Sequence, residues 1–249
     1  MYLQLKHHQL YYQLAGSSSQ KLVFTHGLGD HSGTWQKQVA GLASQFRVLT
    51  WDIRAHGKSG SPRGTWAMED LTNDLHELVA DLGFSNMHLV GHSAGGAVSV
   101  DFTIRHPSLV QSLTLIGSAS EANAAAARNY ERLAEKCEQD RNYDILKAVG
   151  LQNVQGAITP DPSGFAKAAR CMGSLYETPL TPLLSRVTCP VLILVGEHDF
   201  MGQGGSRILH RHIPSSRLVI VPGRGHALYR EDSMSFNNEI VKFFGTREW

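Results

Sequence analysis

The chain has 249 residues, 42% hydrophobic and 18% charged, enough to enclose the core of one large α/β domain and too apolar for a disordered chain. Its 23 basic and 22 acidic side chains leave a formal net charge of +1 with no long run of one sign, which argues against a nucleic-acid partner held by a charge footprint. No stretch is apolar for long enough to span a bilayer, the first residues lack the apolar centre of a secretory signal, and Cys137, Cys171 and Cys189 show no CxxC spacing, so the expectation is a cytoplasmic protein with reduced thiols.

Strand-like and helix-like segments then take turns. YLQLK (2–6) and LYYQLAG (10–16) alternate around His7 and His8 and predict an opening antiparallel hairpin. KLVFT (21–25) and RVLTWD (47–52) are short β-rich runs, and TWQKQVAGLASQ (34–45) between them spaces its apolar residues as one helix face does. From Met68 to Leu82 the apolar positions fall three and four apart, and Gly83 stands where a helix stops. MHLV (87–90), SLTLIG (112–117) and PVLILVG (190–196) are nearly continuous apolar runs, the signature of parallel strands covered on both faces. RLVIV (217–221) follows, and a helix is expected from Glu231 to Phe244. The rhythm predicts a mostly parallel, eight-stranded sheet with helices on both faces.

One stretch breaks it. Between Glu121 and Arg186 there is no convincing strand; EANAAAARNYERLAEKCEQD (121–140) and FAKAARCMGSLY (165–176) are helix formers, set apart by loops containing Pro160, Pro162, Pro179 and Pro182. Residues 121–186 are expected to form a helical cap inserted into a core made of 1–120 and 187–249.

The chemistry starts at GHSAGG (91–96), a serine between a strand and a helix. Turning sharply at Ser93 strains its backbone, and Gly91 and Gly95 leave room for the turn; in return the hydroxyl stands exposed beyond the sheet edge. A serine hydroxyl needs a base near neutral pH. Downstream, LILVGEHDF places Asp199 after one strand and VIVPGRGHALYRE places His226 after the next, so all three project from one edge. His226 is then the general base and Asp199 the group that holds its ring. Charge forming on a substrate carbonyl needs donors aimed at it: the Ala94 amide, and the Leu28 amide in HGLGD (26–30), where Gly27 and Gly29 let the backbone bend inward. Trp35, Met172, Tyr176, Phe200 and Met201 are candidates to line the pocket, predicting a small, largely apolar ester or lactone as partner.

HGLGDHSGTW, WDIRAHGKS, GHSAGG, GEHD and GRGHALYRE together resemble the α/β-hydrolase superfamily, of the esterase, lactonase and C–C hydrolase kind, from Lys21 to the C-terminus. Residues 27–59 also resemble its enol-lactonase branch. The resemblance implies the α/β-hydrolase fold with a helical lid between the sixth and seventh strands, a Ser93–Asp199–His226 triad, oxyanion donors at Leu28 and Ala94, and no cofactor. Ala55 departs from it, standing where glycine is usual.

Two other enzymatic readings and one non-catalytic reading compete. A C–C bond hydrolase and a small-molecule receptor on the same fold both remain open, since a fold does not fix a function. A dinucleotide-binding dehydrogenase is mimicked by the glycines after Thr25, by Asp52 and by Tyr143 with Lys147, but Ser32 and Trp35 stand where further glycines are needed. The thirteen histidines include no HExxH, and His210 and His212 read as a solvated helix end, so no metal is expected. Oligomeric state is not legible.

Overall fold

The computed structural model describes residues 1–245. Eight strands form one sheet: β1 (Tyr2–Gln4), β2 (Gln9–Ala15), β3 (Lys21–Thr25), β4 (Arg47–Trp51), β5 (Met87–His92), β6 (Val110–Ile116), β7 (Val191–Gly196) and β8 (Ser216–Val221), in the order β1-β2-β4-β3-β5-β6-β7-β8. The β1–β2 and β2–β4 pairs are antiparallel; every pair from β4 onward is parallel. All eight strands lie on the runs read from the sequence. The fold is the α/β-hydrolase fold.

Alternation along the strands builds two cores. Val23, Leu49, Leu89, Leu113 and Ile193 face one side, where they bury Leu75 of α2 (Met68–Asp81), Val98 of α3 (Ala94–Arg105) and Leu209 of α7 (Gly202–His212). Leu22, Phe24, Val48, Val90 and Leu192 face the other side, against Leu42 of α1 (Gln36–Leu42) and Ile240 and Phe243 of α9 (Ser233–Gly245). Period-two alternation with both faces apolar is what turns these strands into the central layer of three. The α2 helix ends as its spacing predicts, with Gly83 at φ +65°.

Between β6 and β7 lie α4 (Ala124–Gln139), α5 (Ile145–Ala148) and α6 (Pro162–Gly173). They enclose a third, smaller core of Ala134, Cys137, Ile145, Phe165, Ala166 and Ala169. On its outer side Arg170 of α6 donates from Nη2 to Glu131 Oε1 (2.9 Å) and Glu138 Oε2 (2.8 Å) of α4. The three cysteines are free and buried, and burial pushes the Cys171 thiol up to about 12.

One element differs from expectation. The single helix expected over 231–244 is split into α8 (Leu228–Glu231) and α9. Asp232 breaks it at φ −144°, ψ 75°: one carboxylate oxygen accepts from the Ser235 amide, starting α9, and the other accepts from Arg224 (2.8 Å). The helix whose end was read at His210 and His212 is α7, and it opens on GQGGS. Its glycines answer to close approach: a methyl on Gly205 would stand 2.4 Å from Ala119 Cβ, and one on Gly202 2.3 Å from Asp199 Oδ2.

Candidate active site

Ser93 occupies the corner between β5 and α3 at φ 53°, ψ −120°, a left-handed backbone that a non-glycine residue holds at a cost of roughly 1–3 kcal/mol. Neighbours enforce it. The Ser93 amide donates to the Ile116 carbonyl (2.8 Å), and Ser118 Oγ donates to the Ser93 carbonyl (2.8 Å). A methyl on Gly91 would meet Gly95 O and Ser99 Oγ at 2.5 Å, and one on Gly95 would meet His26 O at 2.2 Å. The two glycines are therefore steric requirements of the turn. Ala94, the first residue of α3, has an amide with no acceptor inside its own helix.

Asp199 lies in the loop after β7, 1% exposed, and accepts the His226 Nδ1 proton at 2.8 Å. Its second oxygen takes the amides of Met201 (3.1 Å) and Gly202 (2.8 Å), so the carboxylate is fixed from both sides. With Nδ1 donating, the Nε2 lone pair of His226 is left to accept a proton. The His226 loop is held in turn: Arg224 O accepts from His198 N (2.8 Å), Gly225 N donates to Glu231 Oε2 (2.9 Å), and a methyl on Gly196 would meet Arg224 O at 2.3 Å. From the corner itself, His92 donates its Nε2 proton to the His226 carbonyl (3.0 Å). Burial, reinforced by neighbouring His226, holds His92 well below the usual histidine range, and its Nδ1 has no partner among the described residues. Gly117, at the end of β6, has φ +51°, and a methyl there would stand 2.6 Å from Asp199 Oδ2 and 3.0 Å from His226 Nδ1.

The loop after β3 approaches Ser93 closely enough that a methyl on Gly27 would lie 3.2 Å from Ser93 Cβ. His26 sets that loop: Nδ1 donates to Gly27 O (2.8 Å) and Nε2 accepts from Ile53 N (2.9 Å), which requires the neutral ring that burial favours. Leu28 follows, half-buried. The Asp52 carboxylate, part of the dehydrogenase mimicry, is taken up by the Ser32 amide (2.6 Å) and the Lys58 amide (2.7 Å). Ala55 sits at φ +61°, the left-handed region that explains why glycine is usual there, and its methyl is matched by Gly164 of α6, where a methyl would come within 2.1 Å of it.

Ser93, Ala94 and His226 share a cavity of about 300 Å³. Met172, Phe200 and Met201 line it as the sequence suggests, with Phe200 93% and Met201 70% exposed at its mouth. Leu28, expected to line the pocket as well, does not border this cavity, and two further expected lining residues lie elsewhere. Trp35 is fully buried in the second core, stacked between Phe24 and Tyr229, because the turn of chain ahead of α1 directs it onto the opposite sheet face. Tyr176 is 48% exposed in the short turn after α6 and does not border the cavity. Glu121, Tyr130, Leu175 and Ile208 do border it and carry no motif that announces this. For Tyr130 and Ile208 only the 3.6-residue spacing of α4 and α7 could have shown which faces turn inward; Glu121 and Leu175 lie outside both helices. Among the described residues, no group of three or more His, Cys, Asp or Glu side chains converges as a metal site requires, and no helix is long and apolar enough to cross a membrane.

Known proteins supply the comparison. The model of a family described as alpha/beta hydrolase fold matches residues 21–149. A protein of Pantoea ananatis named "Putative carbamate hydrolase RutD" is 35% identical over 248 residues, covering 92% of this chain and 90% of that one. A thermophilic esterase from Thermogutta terrifontis superposes with a TM-score of 0.83 at 25% identity, covering 98% of this chain and 97% of that one. The enol-lactonase from Burkholderia xenovorans superposes with a TM-score of 0.82 at 24% identity, covering 99% and 100% respectively, a likeness of fold. With its eight-stranded sheet and a family match over more than half its length, the chain belongs to the alpha/beta hydrolases.

Proposed function

We propose that the protein is a serine hydrolase that cleaves a small, largely apolar carboxylic ester or lactone through an acyl-enzyme. The observation that carries this is the Asp199–His226 hydrogen bond of 2.8 Å at the wall of the cavity that the Ser93 corner also borders. In this reading Ser93 attacks the carbonyl while His226 takes its proton, and Asp199 steadies the imidazolium. The Ala94 and Leu28 amides receive the oxyanion. His226 returns the proton to the leaving group and then activates the water that frees the acid. Residues 121–186 act as the lid, with Met172 and Leu175 supplying apolar contact to the acyl group.

A carbamate is the second reading, favoured by the 35% identity to RutD; its carbonyl passes through the same tetrahedral step. p-Nitrophenyl butyrate tests the attack by Ser93 that the two readings share. Wild type is expected to release p-nitrophenol in a burst followed by steady turnover, with the butyryl mass transiently on Ser93. Ser93→Ala is expected to lose turnover by a factor on the order of 10³ or more. Equal rates in wild type and Ser93→Ala would overturn the mechanism.

A further inference from the structure

The loop from β6 into α4 forms one wall of the cavity, and its polar side chains are nearly all committed to the protein. Ser118 Oγ bonds the Ser93 carbonyl, Ser120 Oγ bonds Thr181 Oγ1 (2.7 Å), and Asn123 Oδ1 caps α4 through the Ala126 amide (2.8 Å). Glu121 differs. It is half-buried in that wall, yet enters no hydrogen bond or ion pair among the described residues. Among the described residues, no lysine or arginine borders the cavity to balance it. Asp199, 1% exposed, is spent on His226 and two amides and does not border the cavity. With no counter-charge on the protein, the Glu121 carboxylate is open to one that a ligand supplies. The rest of the lining suits such a ligand: Tyr130 and Phe200 present aromatic rings, and ring faces attract organic cations.

We infer that Glu121 is a specificity-determining residue that receives a cationic group, an ammonium or alkylammonium, on the substrate, so the cavity selects esters with one positive end over neutral or anionic ones. The inference rests on the serine-hydrolase reading and refines it: the apolar body of the substrate carries a single charge remote from the scissile carbonyl.

Two p-nitrophenyl esters of matched shape test it, the 4-(trimethylammonio)butanoate and the 5,5-dimethylhexanoate, which differ only in nitrogen for carbon. The quantity read is the ratio of kcat/KM for the cationic over the neutral ester, in wild type and in Glu121→Gln. Dividing one ratio by the other cancels the intrinsic reactivity of each ester and any general loss in the variant. Loss of one charge-assisted contact is expected to lower the ratio by about tenfold or more in Glu121→Gln. An unchanged ratio with both esters turned over overturns the role of Glu121 and leaves the hydrolase reading standing. Failure of wild type to turn over either ester removes the hydrolase reading, and this inference with it.

Discussion

The sheet layers and the helical segment between β6 and β7 are built from different materials. The sheet buries Phe24, Trp51, Val23, Leu49, Leu89 and Ile193 at or near zero exposure, and each such side chain contributes roughly 1.5–3 kcal/mol on burial. The core of the helical segment is mostly Ala134, Ala166, Ala169 and Cys137, small side chains that remove little area from water, with Ile145 and Phe165 as its larger members. Its outer seam is Arg170 with Glu131 and Glu138, a partly exposed ion-pair cluster of the kind that contributes little. Ser93, Asp199 and His226 all stand on the first material, while Tyr130 packs on the second as well, Glu121 lies at its junction, and Met172 of α6 packs into the first. A segment with little buried apolar area opens more easily than one packed on large side chains.

Three changes break or sharpen that contrast. Phe165→Ala removes the largest side chain of the small core and is expected to cost about 3–5 kcal/mol, felt first by the segment itself. Hydrogen exchange should show amides of α4 and α6 losing protection while β5 and β6 keep theirs; uniform loss across the chain would show one cooperative core instead.

Acid is the next test. His88 is buried in β5, bonded to Ser112 Oγ (2.8 Å) and stacked on Phe244, and burial lowers it from 6.5 to about 4. The unfolded chain therefore binds this proton first: the stability it confers is full above pH 6.5 and falls as pH drops towards 4. Between pH 7 and pH 5 the loss is about 2 kcal/mol for this one ring. Glu138, lowered by its hydrogen bonds to Arg170, loses its contribution only further down, as pH falls through its depressed value. Urea midpoints should thus fall between pH 7 and pH 5, and fall less in His88→Leu; an identical pH slope in the variant would refute the assignment.

The smallest effect is at the seam. Arg170→Ala is expected to lower global stability by about 1 kcal/mol at most. Exchange in α4 should nevertheless quicken, and a midpoint shift well beyond that bound would make the seam a structural mainstay.

How much of this the sequence disclosed follows from the physics of each element. Strands buried on both faces write themselves as runs such as PVLILVG, and Ser93, Asp199 and His226 each follow one closely, so an edge common to all three could be read. The side of the sheet that Trp35 faces could not be. It depends on a short 3₁₀ turn at Ser32–Trp35 ahead of α1, which shifts the phase that a regular helix would give. The opening of α7 was masked by its glycines, which weaken helix propensity but are demanded by Asp199 and Ala119 next door. Ala55 was legible as a departure, though its partner Gly164, more than a hundred residues on, was not.

Gly117 has a consequence for how such a site can vary over time. A side chain there collides with the very pair that residue 199 forms, so the end of β6 and the end of β7 are mutually exclusive addresses for an acid in this chain. A lineage could not hold both and drop one at leisure. Emptying position 199, for instance by Asp199→Gly, has to come first or together with filling 117, and taken one step at a time the path runs through a chain whose histidine has no acidic partner.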